Sequence, residues 1–292
     1  VAAEYDDFFY SAPDGLRLHA RIYGTGNEGA LPVVCLSGLT RNAADFHDLA
    51  LHLSQRARTK RKVIAFDYRG RGDSAWDENW QNYNPLVEAN DALAGLDALG
   101  VGKAALIGTS RGGLIIFTIA ALRPALLGAA VVDDIGPVVE SVGLAAIRSY
   151  LESAPKPRDF AEVAAFAKAA NGTAFPALTD ADWQRAARAQ WREREGKPVQ
   201  AFDPALLNTL AGVDANTQLP TIWPQFEALS SVPMLAIRGE NSLLLSAETF
   251  AEMGRRHPRI ETVTVAGQGH APYLETAGLP MRIEAFLERV DG

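Results

Sequence analysis

The sequence predicts an α/β fold: a mostly parallel twisted sheet flanked by helices and interrupted by a helical insertion. Three observations carry this. Short continuous apolar runs alternate with helical stretches in the first third of the chain, and the alternation resumes near its end. Apolar runs of this kind suit strands covered on both faces, and strand–helix alternation brings right-handed crossovers between parallel strands. Between the two alternating parts, residues 137–229 read as helix after helix. Finally, 292 residues with 48% apolar and 22% charged side chains are ordinary globular composition. That length exceeds a typical single core but is short for two independent domains, so one domain with an insertion fits best.

The elements follow in order. Arg17 to Tyr23 reads as a strand entered through the turn Pro13-Asp14-Gly15. Pro32 to Leu36, Val63 to Phe66, Ala104 to Ile107 and Ala129 to Val132 are continuous apolar strands. Ala43 to Gln55, Leu86 to Leu99 and Gly113 to Leu122 are the helices between them. In the insertion, Asp159 is an N-cap acceptor with Glu162 three residues on. Phe160, Val163, Ala164 and Ala167 then share one helix face. Thr179 opens a helix carrying Trp183, Ala187 and Trp191 and ending at Gly196. Asp203-Pro204 caps and starts a further segment that Gly212 ends. Met234 to Arg238 and Ile260 to Val265 are strands, and Ser246 to Arg256 and Pro280 to Val290 are helices. The expected organisation is an α/β core from 1–136 and 230–292 with 137–229 as a helical lid, because that stretch falls between two sheet strands.

Composition also excludes partners. Lys plus Arg is 28 against 35 Asp plus Glu, a net charge of −7. Nucleic acid and anionic membrane surfaces both require clustered positive charge, so neither is expected. Cys35 is the sole cysteine, which rules out an intrachain disulfide and a thiolate metal site. The longest strongly apolar stretch, Leu114 to Leu122, is too short to span a bilayer. Val1-Ala2-Ala3-Glu4 does not read as a signal peptide, so the cytoplasm is the default location. There is no internal repeat or low-complexity run, and nothing calls for a metal, nucleotide or flavin cofactor.

The strongest local signal is Gly108-Thr109-Ser110-Arg111-Gly112, between a strand and a helix. In that context Gly-x-Ser-x-Gly forms a nucleophile elbow. The turn presents the hydroxyl above the sheet, the small residues let strand and helix approach, and the helix's first N–H groups point at developing negative charge. The plainer reading is a glycine-rich turn with a surface serine. No Lys follows as a phosphate loop would require. A serine needs a base, and His270 lies in Gly267-Gln268-Gly269-His270-Ala271-Pro272, just past a strand end. His19 and His52 sit in patterned elements, His47 opens a helix and His257 precedes Pro258 at a helix end. Surface or capping roles are expected for those four.

With these motifs the chain resembles the α/β-hydrolase superfamily, of the lid-bearing type that includes esterases, lactonases and carbon–carbon bond hydrolases. The resemblance spans nearly the whole chain. It rests on Leu36-Ser37-Gly38-Leu39, on the run from Phe66 through Arg69-Gly70-Arg71-Gly72 to Ser74, on the Ser110 elbow, on Asp133-Asp134-Ile135-Gly136-Pro137, on Arg238-Gly239-Glu240 and on Gly269-His270-Ala271-Pro272. It implies the α/β-hydrolase fold and a chain order of serine, acid, histidine. It also implies an oxyanion hole from the N–H groups of Leu39 and Arg111, although many relatives have His-Gly where Ser37-Gly38 stands. Asp67, Arg69 and Asp73 are expected to be structural, as is Glu275. Dehalogenase and epoxide-hydrolase chemistry are disfavoured because such relatives carry Asp at the elbow.

The acid departs from the pattern. Close relatives read Gly-Glu-x-Ser-Asp-Leu-Leu-Ser where this chain has Gly239-Glu240-Asn241-Ser242-Leu243-Leu244-Leu245-Ser246, so Leu243 stands at the expected Asp. Asp134 is the first substitute, since some relatives take their acid from the end of the strand before the lid. Glu240 and Asp133 follow, and the remaining option is no functional carboxylate. Neighbours in an extended segment point to opposite faces, so one of Asp133 and Asp134 is expected to face the site. The leading reading is a serine hydrolase of a small carboxylic ester or lactone, using Ser110, His270 and Asp134, with lid tryptophans Trp183, Trp191 and Trp223 shaping an apolar pocket. The alternatives are a carbon–carbon bond hydrolase or cofactor-free oxygenase on the same fold, and a degraded small-molecule binding protein.

Overall fold

The apolar runs read as strands all lie in one eight-stranded sheet of the computed structural model, which describes residues 4–291. Val1 to Ala3, part of the stretch read as no signal peptide, lie outside the described residues. The strands are β1 (Asp6–Ser11), β2 (Arg17–Tyr23), β3 (Val33–Leu36), β4 (Val63–Asp67), β5 (Ala104–Thr109) and β6 (Leu127–Asp133), with β9 (Met234–Gly239) and β10 (Ile260–Val265) at the far end. Two further strands, β7 (Trp191–Arg194) and β8 (Lys197–Gln200), form a separate hairpin. The sheet order is β1-β2-β4-β3-β5-β6-β9-β10. β1 and β2 pair antiparallel, as do β2 and β4, and every later pair is parallel. This is the α/β-hydrolase fold.

β3 and β4 are buried along their whole length and β5 along all but its last residue, Thr109, as their unbroken apolar runs require. One face packs on α2 (Pro85–Ala98), α3 (Arg111–Leu122) and α8 (Ala247–Arg256), through Leu96, Ile115, Phe117 and Met253. The other packs on α1 (His47–Leu51) and α9 (Leu279–Asp291), through Leu49, Ile283 and Phe286. Asn84 opens α2 by accepting the N–H groups of Leu86 and Val87, ahead of Pro85 at the first helical position. Among the described residues no helix is long and apolar enough to cross a membrane.

Three elements differ from the reading of the sequence. β1 gave no strand signal, because its acidic start and aromatic middle lack an apolar alternation. It is an edge strand that gains its order by pairing with β2 and by the Arg17 guanidinium stacked 3.6 Å over the Phe9 ring. The single helix expected over 43–55 is broken into a 3₁₀ turn (Ala43–Phe46), α1 and a π-turn (His52–Arg56). Asp67 at the end of β4 accepts the Ala43 N–H at 2.7 Å and ties the first turn to the sheet. The third difference lies between β6 and β9.

That segment contains α4 (Ser141–Glu152), α5 (Phe160–Asn171), α6 (Asp180–Gln190) and α7 (Trp223–Glu227). Asp159 accepts the Glu162 N–H to start α5, and Thr179 and Asp182 form a reciprocal capping box on α6. The helix expected to run to Gly196 stops at Gln190, and Trp191 opens the β7–β8 hairpin instead. Glu195 and Gly196, both at positive φ, form its two-residue turn. A glycine that looks like a helix stop is here a hairpin turn, and charged Arg192, Glu193 and Arg194 hid the strand period. Asp203-Pro204 does open a helical segment, but a 3₁₀ one, Pro204–Leu210.

A buried polar network stands behind the elbow. The Arg71 guanidinium donates to the Leu39 carbonyl at 2.8 Å and to Glu88 at 2.7 Å. Glu88, fully buried on α2, also accepts from Arg111 at 2.6 Å. Burial alone would raise the Glu88 pKa, but Arg111 and Arg71 outweigh it and hold the carboxyl below its usual range. Removing one partner of such a cluster strands buried charge. Glu88→Ala is therefore expected to lower the unfolding free energy by about 3–5 kcal/mol, read from urea denaturation. A loss under about 1 kcal/mol, the scale of a surface ion pair, would show that the arginines hold their places without it.

Candidate active site

Ser110 sits between β5 and α3 with φ 52° and ψ −115°, a strained conformation for a residue with a side chain. The local glycines make it possible. A Cβ on Gly108 would lie 2.5 Å from the Gly112 carbonyl group, and one on Gly112 would run into the Leu36 carbonyl. Strand and helix can therefore close on each other only without side chains at these positions, and the closure lifts the serine above the strand ends.

The Ser110 Oγ lies 2.8 Å from His270 Nε2, and His270 Nδ1 lies 2.8 Å from Asp134 Oδ2. Asp134 is fully buried just past the end of β6 and holds a positive φ of 53°. Its orientation is fixed by two further donors. The Gly239 N–H reaches Oδ1 at 2.7 Å, and the Ser242 hydroxyl reaches Oδ2 at 2.6 Å. Hydroxyl, imidazole and carboxylate thus form one hydrogen-bonded chain. Such a chain can take the serine proton as the oxygen attacks a carbonyl, and hold the imidazolium that results.

The other carboxylates considered from sequence lie elsewhere. Asp133 makes no hydrogen bond to His270 and accepts from the Thr109 hydroxyl at 2.9 Å. Burial, reinforced by the charge of Asp134, pushes its pKa well above the usual carboxylate range. Glu240 accepts the Gly267 N–H at 2.8 Å. Leu243 is 56% exposed and lines the cavity in front of Ser110.

The expected oxyanion donors are Leu39, in the loop after β3, and Arg111, the first residue of α3. Neither N–H has a hydrogen-bond partner among the described residues. The Leu39 loop is pinned from behind by Arg71 at its carbonyl, and Ser37 closes it by donating to the Arg41 carbonyl at 3.1 Å. Ser37 thus holds the loop by a hydrogen bond to backbone.

The loop after β4 is held by structural contacts, as expected. Asp67 accepts from the Ala43 and Asp73 N–H groups, and Arg69 forms a paired contact to Asp91 at 2.7 and 2.8 Å. The histidines correct one expectation. His19 is neither surface nor capping: it is fully buried, with Nδ1 2.7 Å from Asp67 and Nε2 2.9 Å from Asp7. Burial opposes its protonation, but the hydrogen bond and charge of Asp67, with Asp7, raise its pKa. His257 caps the end of α8 and contacts the Leu229 carbonyl at 2.9 Å. Glu275 lies beside the cavity, and burial, with Asp45 nearby, pushes its carboxyl up to about 7.

A cavity of about 260 Å³ opens over Ser110 and His270. Its floor is the sheet edge with Gly38, Leu39 and Thr109, and its walls come from α4, α5, α6 and the β7–β8 hairpin. Trp183 and Trp191 line it. Trp223 does not, which corrects the grouping of all three tryptophans. Its ring packs edge-on to Phe226 at 5.8 Å under the Arg256 guanidinium, where α7 packs against α3 through Phe226 and Phe117.

Residues 33–279 match the alpha/beta hydrolase family. The chain belongs to that family. Among alpha/beta hydrolases of known structure, one from Novosphingobium aromaticivorans superposes with a TM-score of 0.90 at 36% identity, covering 99% of this chain and 100% of that one. The 3-hydroxybutyrate-oligomer hydrolase of Cupriavidus necator is 31% identical over 274 residues, 87% of this chain and 88% of that protein. The 2-(acetamidomethylene)succinate hydrolase of Mesorhizobium japonicum is 29% identical over 254 residues, 87% and 86% of the two chains. The chain is accordingly a hydrolase.

Within this alpha/beta hydrolase scaffold, several contacts that shape the site leave no signal in the sequence. Ser242 has a local signature, because its hydroxyl also accepts the Leu244 and Leu245 N–H groups in a turn. Its bond to Asp134 spans 108 positions and is visible only in three dimensions. The same holds for Arg71 and Glu88.

Proposed function

We propose that the protein hydrolyses a small carboxylic ester or lactone through an acyl-enzyme on Ser110. The observation that carries this reading is the continuous hydrogen-bonded chain from Ser110 through His270 to Asp134. The Ser110 oxygen attacks the carbonyl carbon as His270 Nε2 takes its proton. The developing oxyanion is held by the Leu39 and Arg111 N–H groups, which cost no reorganisation because the loop and helix already aim them. Collapse passes the proton from His270 to the leaving alcohol and leaves the acyl group on Ser110. Water then attacks with His270 as base, and the carboxylic acid departs with the serine restored. Asp134 keeps the imidazole in the tautomer that leaves Nε2 free to accept.

In this reading 137–229 acts as a lid over a core made of 1–136 and 230–292, and Trp183 and Trp191 exclude water from the acyl pocket. The Cupriavidus necator relative, named for 3-hydroxybutyrate oligomers, supports the choice of an ester substrate. A cytoplasmic setting fits the lone buried Cys35, which stays reduced there.

A rapid-mix burst with 4-nitrophenyl acetate and butyrate, quenched in acid and read by intact mass, tests the reading. The expected result is a stoichiometric burst with the acyl group mapped to Ser110. An absence of burst, adduct and turnover would favour carbon–carbon or oxygen chemistry that leans on His270 rather than on an acylated serine. Ligand binding without turnover on either ester would favour a binding protein.

A further inference from the structure

Beside the reacting serine the cavity carries one charged group that the proposed steps do not use. Arg41 follows the Leu39 loop, and among the described residues it is the single guanidinium or ammonium group lining the cavity. Its stem is close to the chemistry. A point at the Cβ position of Gly38 lies 3.3 Å from Arg41 Cγ and 3.8 Å from Ser110 Cβ, so the two side chains face each other across the width of one glycine.

The guanidinium is held by Asp45 and Tyr273. Its Nε donates to Asp45 Oδ2, and its carbon sits 5.3 Å from the centre of the Tyr273 ring. Tyr273 is a second hydrogen-bonding neighbour of the guanidinium, and the remaining terminal N–H groups of Arg41 have no acceptor among the described residues. Guanidinium N–H groups form the paired donors that match a carboxylate's two oxygens. The charged groups facing Arg41 are Asp45, Glu275 and Asp133. A second cleft, of about 390 Å³, shares the wall formed by Arg41, Asp45, Tyr273 and Glu275. The charged end of a substrate at this wall therefore borders a polar cleft, while the other cavity wall, with Ile147, Leu151 and Phe175, is apolar.

We propose that Arg41 selects substrates that carry a free carboxylate, gripping it with its terminal nitrogens while the ester carbonyl lies over Ser110. The inference rests on the ester-hydrolase reading above and adds the substrate class. A carboxylate in that place would take the guanidinium donors left over after Asp45 and Tyr273, and a neutral ester supplies no charge to meet them. Arg41 is on this account a specificity residue, with Asp45 and Tyr273 holding its plane.

The test compares ethyl hydrogen succinate and ethyl hydrogen adipate with ethyl pentanoate in a pH-stat. The wild type is expected to favour at least one half-ester over the neutral ester by tenfold or more in kcat/KM, the scale of a charge-assisted hydrogen bond. In Arg41→Gln that ratio is expected to collapse towards one, with Arg41→Lys intermediate because it keeps the charge and loses the fork. The double variant Arg41→Gln with Asp45→Asn removes the stranded carboxylate, so a loss of preference there reflects recognition rather than misfolding. A wild-type ratio near one, or a ratio unchanged in both Gln variants, would overturn the proposal while leaving ester hydrolysis standing. If the wild type cleaves none of the three esters, the ester reading fails. Calorimetry with Ser110→Ala then decides separately: half-ester binding weakened at least tenfold by adding Arg41→Gln upholds the carboxylate site, and binding that is absent or unchanged rejects it.

Discussion

Ser110→Ala is expected to lower kcat for ester hydrolysis by about 10⁶-fold, the scale seen when the nucleophile of a serine–histidine–carboxylate unit is removed. The alanine keeps the elbow, because the glycines at 108 and 112 still allow the close approach of β5 and α3. What disappears is the atom that forms the acyl bond. The two backbone donors at Leu39 and Arg111 remain, so a residual rate above the uncatalysed one is expected from them and from substrate positioning. The measurement is steady-state turnover with the best ester from the burst assay, beside intact mass after the acid quench. A variant that kept within tenfold of wild-type turnover would remove Ser110 from the mechanism and shift the chemistry to His270.

Asp134→Asn is expected to cost about 10⁴-fold in kcat with little change in fold, as when a triad aspartate becomes its amide. The carboxylate holds His270 Nδ1 at 2.8 Å and receives the Gly239 N–H and the Ser242 hydroxyl. An amide can satisfy those neighbours only by turning its nitrogen elsewhere or by favouring the wrong imidazole tautomer, and it supplies no charge to balance imidazolium. The companion variant Leu243→Asp separates two explanations. Leu243 is largely exposed at the cavity wall, while Asp134 already occupies the Nδ1 side of the ring, so Leu243→Asp alone is expected to leave turnover level or lower it. A rise in turnover from Leu243→Asp, or wild-type turnover in Asp134→Asn, would show that Asp134 is not the orienting acid.

Placement of the acid shows how far local pattern reaches. Gly-x-Ser-x-Gly between a strand and a helix is a local arrangement, and its steric logic is contained in five residues. The alignment of the loop after β9 places Leu243 where an acid is expected, and there the local pattern stops. The end of β6 lies next to β9 in the sheet, so a carboxylate after either strand can reach the same imidazole. Asp134 does so with a positive φ, stabilised by donors from Gly239 and Ser242 on the neighbouring strand end. Asp133, one position earlier, faces Thr109.

The sequence by itself determined the strand–helix alternation, the parallel core and the positions of the serine and the histidine worth testing, because each follows from burial period or from sterics between near neighbours. The tertiary structure alone decided which acid meets His270, that 191–200 is a hairpin rather than the end of a helix, and that Arg71 and Glu88 brace the Leu39 loop and the Arg111 side chain. It also decided that the Arg41 side chain stands beside Ser110 in the cavity. The choice of acid and the Arg71–Glu88 brace share one reason. Hydrogen bonds between residues distant in the chain are set by how strands and helices are brought together, and that arrangement leaves no period in the sequence.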